Sequence, residues 1–227
     1  MCGIAGYIGK KTIEQPIIHQ TLNLMKNRGP DHQGYKHLKR NGANIFLLHS
    51  RLSIIDCDAR SNQPFVLEGC TLIFNGEIYN YIELKEDLKK QGIKCTTTSD
   101  TEVLLRYYLL HGEDCVKYFE GMWAFAIYDE GRKTLFLSRD RFAEKPLYYY
   151  QTKDGFYYGS EIKFIKSLSG KIFTINQGHL LRYLVQGYKS LYKKEDTFFN
   201  EINEIKYATN LVVNPDLEIR SYRYWKP

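Results

Sequence analysis

Residues 122–128 read Met-Trp-Ala-Phe-Ala-Ile-Tyr, a run in which both alternating sets of side chains are apolar. Successive strand residues point to opposite faces, so Met122, Ala124, Ala126 and Tyr128 share one face and Trp123, Phe125 and Ile127 the other. Such a strand must be covered on both sides. Asp129-Glu130-Gly131-Arg132 turns it into a second strand at 134–138, and 148–151 with 156–160 form another hairpin around Asp154-Gly155. Hairpins that are apolar on both faces need a layer against each face, and amphipathic helices before and after them supply it. Two packed antiparallel sheets with helices outside meet this demand.

The rest of the chain reads in the same way. Residues 2–8 form a strand ending at Gly9, and Ile13, Ile17, Ile18, Leu22 and Met25 follow at helical spacing. Short apolar strands at 45–48 and 72–74 lead into Arg51 and into Asn75-Gly76. Residues 81–90 form a helix with Gly92 just past its end, and Ser99 with Glu102 three residues on is a capping box that starts a helix ending by Gly112. After Glu161 come a short helix through Ile162 and Ile165, another at 180–185, and strand-like pieces at 197–199, 211–213 and 218–224. We expect one domain over 1–190 and a C-terminal extension over 191–227.

Composition narrows the class of protein. The 227 residues are 43% hydrophobic and 26% charged, and no apolar run approaches the roughly 18 residues that span a bilayer. The start lacks a basic segment followed by an apolar one, so no secretory signal is read there. Five cysteines, Cys2, Cys57, Cys70, Cys95 and Cys115, are odd in number and lack zinc-site spacing, which predicts a reduced, cytoplasmic protein with no metal site. The net charge of +6 comes from lysines and arginines spread along the chain, with short clusters at 36–40 and 189–194. These read as solvated faces; neither nucleic acid nor membrane is expected as a partner.

The chemistry begins at Met1-Cys2-Gly3. Removal of Met1 would leave a thiol and a free α-amine on one residue, a nucleophile with its own base, since the two titrate at about 8.5 and about 7.7 to 8.0. Alternatively Cys2 is a small apolar residue opening a buried strand. If it is a nucleophile for an amino-acid amide, the site needs donors for an oxyanion, a cation for a carboxylate and an anion for an ammonium. Asn75-Gly76 offers a side-chain amide beside a glycine N–H, or is an ordinary Asn-Gly turn. Arg51 offers two parallel N–H bonds to a carboxylate, or a structural ion pair. Asp100 would accept the ammonium, or simply favours a helix N-terminus. Arg28-Gly29-Pro30-Asp31 is a loop that covers a site or only turns the chain. Asp140, Arg141, Glu144 and Lys145 read as an ion-pair knot, and nearness in sequence does not make a triad of Ser50, His49 and Asp56.

Taken in order, Met1-Cys2-Gly3-Ile4, Arg28-Gly29-Pro30-Asp31, Ser50-Arg51-Leu52-Ser53-Ile54-Ile55-Asp56, Phe74-Asn75-Gly76-Glu77, Ser99-Asp100-Thr101-Glu102, Asp140-Arg141-Phe142, Lys145-Pro146-Leu147-Tyr148 and Ser160-Glu161-Ile162-Lys163 resemble the class II glutamine amidotransferase domain. The likeness is specifically to the glutaminase half of glutamine-dependent asparagine synthetase. It implies an α+β fold, a four-layer αββα sandwich of two antiparallel sheets of N-terminal-nucleophile hydrolase type. It implies Cys2 as nucleophile, Asn75 and Gly76 as oxyanion hole, Arg51 on the carboxylate of L-glutamine, and Asp100 and Glu77 on its ammonium. Backbone groups at Leu52 and Ile54 are implied as further contacts.

The implied reaction gives glutamate and ammonia through a Cys2 thioester. A synthetase domain or subunit would receive the ammonia, and relatives often pair as homodimers. ATP and magnesium are expected only in that synthetase domain: the pyrophosphate loop Ser-Gly-Gly-x-Asp-Ser is absent, so no cofactor is expected in this chain. Ala143 and Lys206-Tyr207-Ala208-Thr209 depart from the family pattern and bear on partner contacts. A non-catalytic docking or regulatory module with the same fold, and a hydrolase of some other amide, are the alternatives.

Overall fold

The strand β6 (Gly121–Asp129) is buried on both faces, as its sequence requires. The computed structural model describes residues 1–40, 42–188 and 196–226. The lysine cluster at 189–194 and the boundary at 190/191 lie outside them. One sheet has the order β10 (Asn203–Glu204), β8 (Tyr148–Thr152), β9 (Gly155–Gly159), β1 (Gly3–Gly9), β3 (Ala43–Arg51), β2 (His32–Arg40). The other has β12 (Ile219–Arg223), β11 (Thr209–Val213), β7 (Thr134–Arg139), β6, β5 (Cys70–Ile78), β4 (Phe65–Leu67). Every neighbouring pair is antiparallel.

Three apolar clusters glue four layers together. Ala124, Ala126 and Tyr128 of β6 meet Ile4, Ile8, Ile45 and Leu47 between the sheets. Trp123, Phe125 and Ile127, on the other face, pack under α2 (Tyr81–Lys90) and α3 (Asp100–His111) through Leu84, Leu88, Leu104 and Tyr107. Outside the first sheet, α1 (Gln15–Met25) and α4 (Ile162–Ser169) cover Ala5, Tyr7, Phe46 and Leu48 with Ile18, Leu22, Phe164 and Ile165. The αββα sandwich is therefore the fold. A further helix, α5 (Gln177–Gln186), precedes the C-terminal strands, which join both sheets: β10 pairs with β8 and β11 with β7.

Several elements differ from their sequence reading. β2 is an edge strand of polar composition, with Lys39 and Arg40 exposed, so it carries no alternating apolar signal. Asn75, Gly76 and Glu77 do not follow a strand but lie within β5, paired to Ala124, Trp123 and Met122. Residues 197–199 form only a single bridge, Phe199 to Ile175. The Ser99 side chain caps α3 by accepting from Thr101 N at 3.1 Å, but Glu102 does not reach back to it. Instead the Glu102 carboxylate accepts from the N–H groups of Thr96 and Thr97 and from Arg106, pinning the loop before the helix.

Candidate active site

Strand pairing delivers the site. Gly3 of β1 lies opposite Ser50 of β3, which places Cys2 beside the segment that follows Arg51. The Cys2 thiol donates to Leu52 O at 3.6 Å, and Leu52 N–H donates back to Cys2 Sγ at 3.4 Å. Burial pushes the Cys2 thiol up, opposed by Leu52 N–H and by the positive charges of the N-terminus and Arg51. A thiol so raised would need a base to act as a nucleophile. Arg28 Nε donates to Cys2 O at 2.8 Å while its Nη1 pairs with Glu161 at 3.1 Å, so the cation fixes the Cys2 backbone.

β5 brings in Asn75 and Gly76, the candidate oxyanion donors. Asn75 is 1% exposed, and neither its Nδ2 nor its Oδ1 has a partner. An unpaired buried amide costs about 1 to 3 kcal/mol, which a protein tolerates where a ligand will complete it. Gly76 lies so close to β6 that a Cβ there would stand 2.2 Å from Met122 O, so only glycine keeps this strand in register. Asp100, at the start of α3, is 5% exposed and accepts from Ile78 N–H at 3.1 Å. Burial, aided by the charge of Glu77, raises its carboxyl to about 6, against the bonds from Ile78 and Ser99.

One pocket of about 100 Å³ collects these groups: Cys2, Arg51, Leu52, Ile54, Asn75, Gly76, Glu77 and Asp100 all line it. Pockets for drug-sized ligands run to about 300 to 1,000 Å³, so this one suits a small metabolite. Among the described residues no cluster of three or more His, Cys, Asp or Glu is arranged to hold a metal ion.

The sequence profile of the glutamine amidotransferase domain matches residues 1–225. The chain belongs to the glutamine amidotransferase domain family. It is 34% identical over 233 residues to glutamine-hydrolyzing asparagine synthetase 1 of Bacillus subtilis, covering 100% of this chain and 35% of that one. A protein of Methanocaldococcus jannaschii assigned as glutamine-hydrolyzing asparagine synthetase 2 is 37% identical over 251 residues, covering 100% and 47%. The chain thus spans between a third and a half of these relatives' length. Among solved structures, an allosteric regulatory enzyme of purine biosynthesis superposes with a TM-score of 0.72 at 18% identity, over 100% of this chain and 50% of that one. At that identity the likeness concerns the fold.

Within this pocket Arg51 is not an open fork. Nη1 donates to Asp58 O at 3.0 Å and Asn62 Oδ1 at 2.8 Å, and Nη2 to Ile55 O at 3.3 Å and to Asp56 O. All four Nη hydrogens are committed to the loop at 55–62, which the spacing of Arg51 in the sequence does not reveal. The Leu52 N–H is likewise spent on Cys2 Sγ. Ile54 is 68% exposed and forms part of the pocket's lip.

The 28–31 loop braces the site rather than capping it. A Cβ on Gly29 would stand 2.4 Å from the Ser50 carbonyl, and Asp31 accepts from Ser53 N–H at 2.7 Å. The knot at 140–145 is also different in kind. Asp140 is fully buried and accepts four backbone N–H groups, from Trp123, Phe142, Glu144 and Lys145, at 2.9 to 3.2 Å. Lys145, missed as a site residue, lines the pocket at 5% exposure with Nζ 3.4 Å from Met1 Sδ, and burial with nearby Arg28 lowers its pKa. No triad forms: Ser50 Oγ donates to Met25 O and His49 Nε2 to Phe74 O.

Proposed function

We propose that this chain hydrolyses the side-chain amide of L-glutamine and hands ammonia to a synthetase region outside it. The observation that carries the reading is the orphaned Asn75 amide in the same small pocket as Cys2 and Asp100. Loss of Met1 frees the Cys2 amine, which takes the thiol proton; Sγ then attacks the amide carbon. Asn75 Nδ2 and Gly76 N–H receive the developing oxyanion, each such donor contributing about 10²- to 10³-fold in rate. As the tetrahedral species collapses, the C–N bond breaks and the ammonium of Cys2 returns the proton to the leaving nitrogen, giving ammonia and a glutamyl thioester. Water, deprotonated by the same amine, cleaves the thioester to glutamate and restores the thiol.

Asp100, aided by Glu77, holds the substrate ammonium. Arg51 takes the carboxylate once the 55–62 loop yields at least one of its Nη hydrogens. Backbone groups at Leu52 and Ile54 line the path between them. The length of the asparagine synthetase relatives supports a synthetase domain or subunit as acceptor of the ammonia, with ATP and magnesium acting there and no cofactor in this chain. Residues 191–227 would be the extension leading toward it beyond a domain over 1–190. The free cysteines and the absence, among the described residues, of a helix able to cross a membrane support a cytoplasmic setting.

Intact mass and a glutaminase assay on the purified chain test this together. The expected result is a chain beginning at Cys2 that releases glutamate, with activity abolished in Cys2→Ala and Cys2 trapped stoichiometrically by a glutamine-like electrophile. Glutamate release that survives Cys2→Ala removes the mechanism. Failure of a chain beginning at Cys2 to hydrolyse glutamine or react with the electrophile returns the domain to a docking or regulatory role.

A further inference from the structure

At the back of the pocket the backbone of one lining residue, Phe74, is held from both sides. The Phe74 carbonyl accepts His49 Nε2–H at 3.0 Å, and the Phe74 N–H donates to Gln63 Oε1 at 2.6 Å. Gln63 in turn donates from Nε2 to Thr101 Oγ1 at 3.3 Å, next to Asp100. Phe74 is the residue before Asn75, His49 lies two residues before Arg51 and opposite Ile4 of β1, and Thr101 stands in the first turn of α3. The three elements that carry the cation, the amide and the carboxylate therefore meet at one residue, Phe74.

The chemistry of this contact is determined by its acceptor. A carbonyl oxygen only accepts, so Nε2 must carry the proton, and Nδ1, which has no partner, is the bare nitrogen. His49 is 0% exposed, and burial lowers its pKa to about 3 against the Phe74 bond, so the ring stays neutral wherever the protein is folded and working. It spans the space between the sheets, from β3 to β5. A neutral, fully buried donor crossing that space fixes how far the strand bearing Cys2's neighbours stands from the strand bearing the oxyanion donors.

We propose that His49 is a positioning residue for glutamine hydrolysis: its bond to the Phe74 carbonyl sets where Asn75 and Gly76 stand relative to Cys2. The inference rests on the amidotransferase reading above. It separates His49 from the groups that touch substrate, since displaced oxyanion donors weaken the transition state while leaving the amino-acid contacts of glutamine in place.

The test compares His49→Leu, which has no donor, with His49→Gln, whose side-chain amide reaches about as far as Nε2. We expect His49→Leu to lower kcat about 10- to 100-fold, the scale of a misplacement near 1 Å, with KM for glutamine within about threefold. Affinity for glutamate γ-semialdehyde, whose hemithioacetal oxygen takes the oxyanion position, should fall in proportion to kcat while affinity for glutamate holds. His49→Gln should recover most of both losses. Unchanged kcat in His49→Leu, an equal loss in all four quantities, or no rescue by His49→Gln overturns the proposal. Should His49→Leu not fold, ¹⁵N spectra of the wild-type ring decide: an Nε2–H tautomer at pH 5 to 8, with rescue in His49→Gln, supports it, and an Nδ1–H tautomer overturns it. An inactive wild-type chain beginning at Cys2 overturns the glutamine reading itself, whereas an active one with indifferent His49 variants overturns only this inference.

Discussion

Burial raises the Asp100 carboxyl to about 6, which sets binding against stability at one residue. On the proposed function an ionised carboxylate serves a substrate ammonium, yet keeping it ionised in this pocket costs the folded protein. Asp100→Asn should therefore raise KM for glutamine about 10- to 100-fold, the value of a hydrogen bond to a charged group, while the melting temperature stays level or rises. In the wild type, protonation of Asp100 below about pH 6 adds to protonation of the Cys2 amine. A pH profile of kcat/KM should steepen toward slope two below pH 6, and Asp100→Asn should keep only the shallower limb. Asn75→Ala should reduce kcat about 10²- to 10³-fold with little change in KM, as steady-state assays will show. That Cys2, Asn75 and Asp100 share a pocket was legible from residue type and motif order; that Arg51 is already occupied was not, because all but one of its partners are backbone carbonyls common to any sequence.

At the level of elements, the loop after β7 depends on one carboxylate. Asp140 accepts four N–H groups from β6 and its own turn, so Asp140→Ala strands several buried donors at once. We expect a loss of about 3 kcal/mol or more in chemical denaturation, with Asp140→Asn recovering part through its remaining oxygen. The sequence reading paired Asp140 with cations because charge is visible in a sequence and a convergence of backbone donors is not. The same distinction separates β6, whose doubly apolar run announced its burial, from β2, a polar edge strand that exists only because β3 offers it a partner.

For the molecule as a whole, buried His49 and Asp100 act in opposite directions on acid stability. The His49 pKa is lowered from 6.5 to about 3, so the stability it contributes is present above pH 6.5 and lost progressively as pH falls toward 3. The Asp100 pKa is raised from 3.8 to about 6, so the folded state gains stability as pH falls from 6 to 3.8. Each contributes a slope of about 1.4 kcal/mol per pH unit, and between pH 6 and 4 they nearly cancel. Melting curves should show Asp100→Asn losing stability more steeply than the wild type on acidification through this window. His49→Gln should lose it less steeply.

Residue order and patterning by themselves determined the layers and the roster of the site. A run apolar on both faces has to lie between two covers, and motifs kept in order along 165 residues single out Cys2, Asn75 and Asp100 as candidates whatever their distances. Tertiary structure alone decided how those groups are held. The occupation of Arg51 by its own loop, the bracing of Cys2 by Arg28, the four-donor seat of Asp140 and the His49 bond to Phe74 all join side chains to backbone groups. Backbone groups are the same at every position, so they leave no mark in a sequence until the fold brings them within reach.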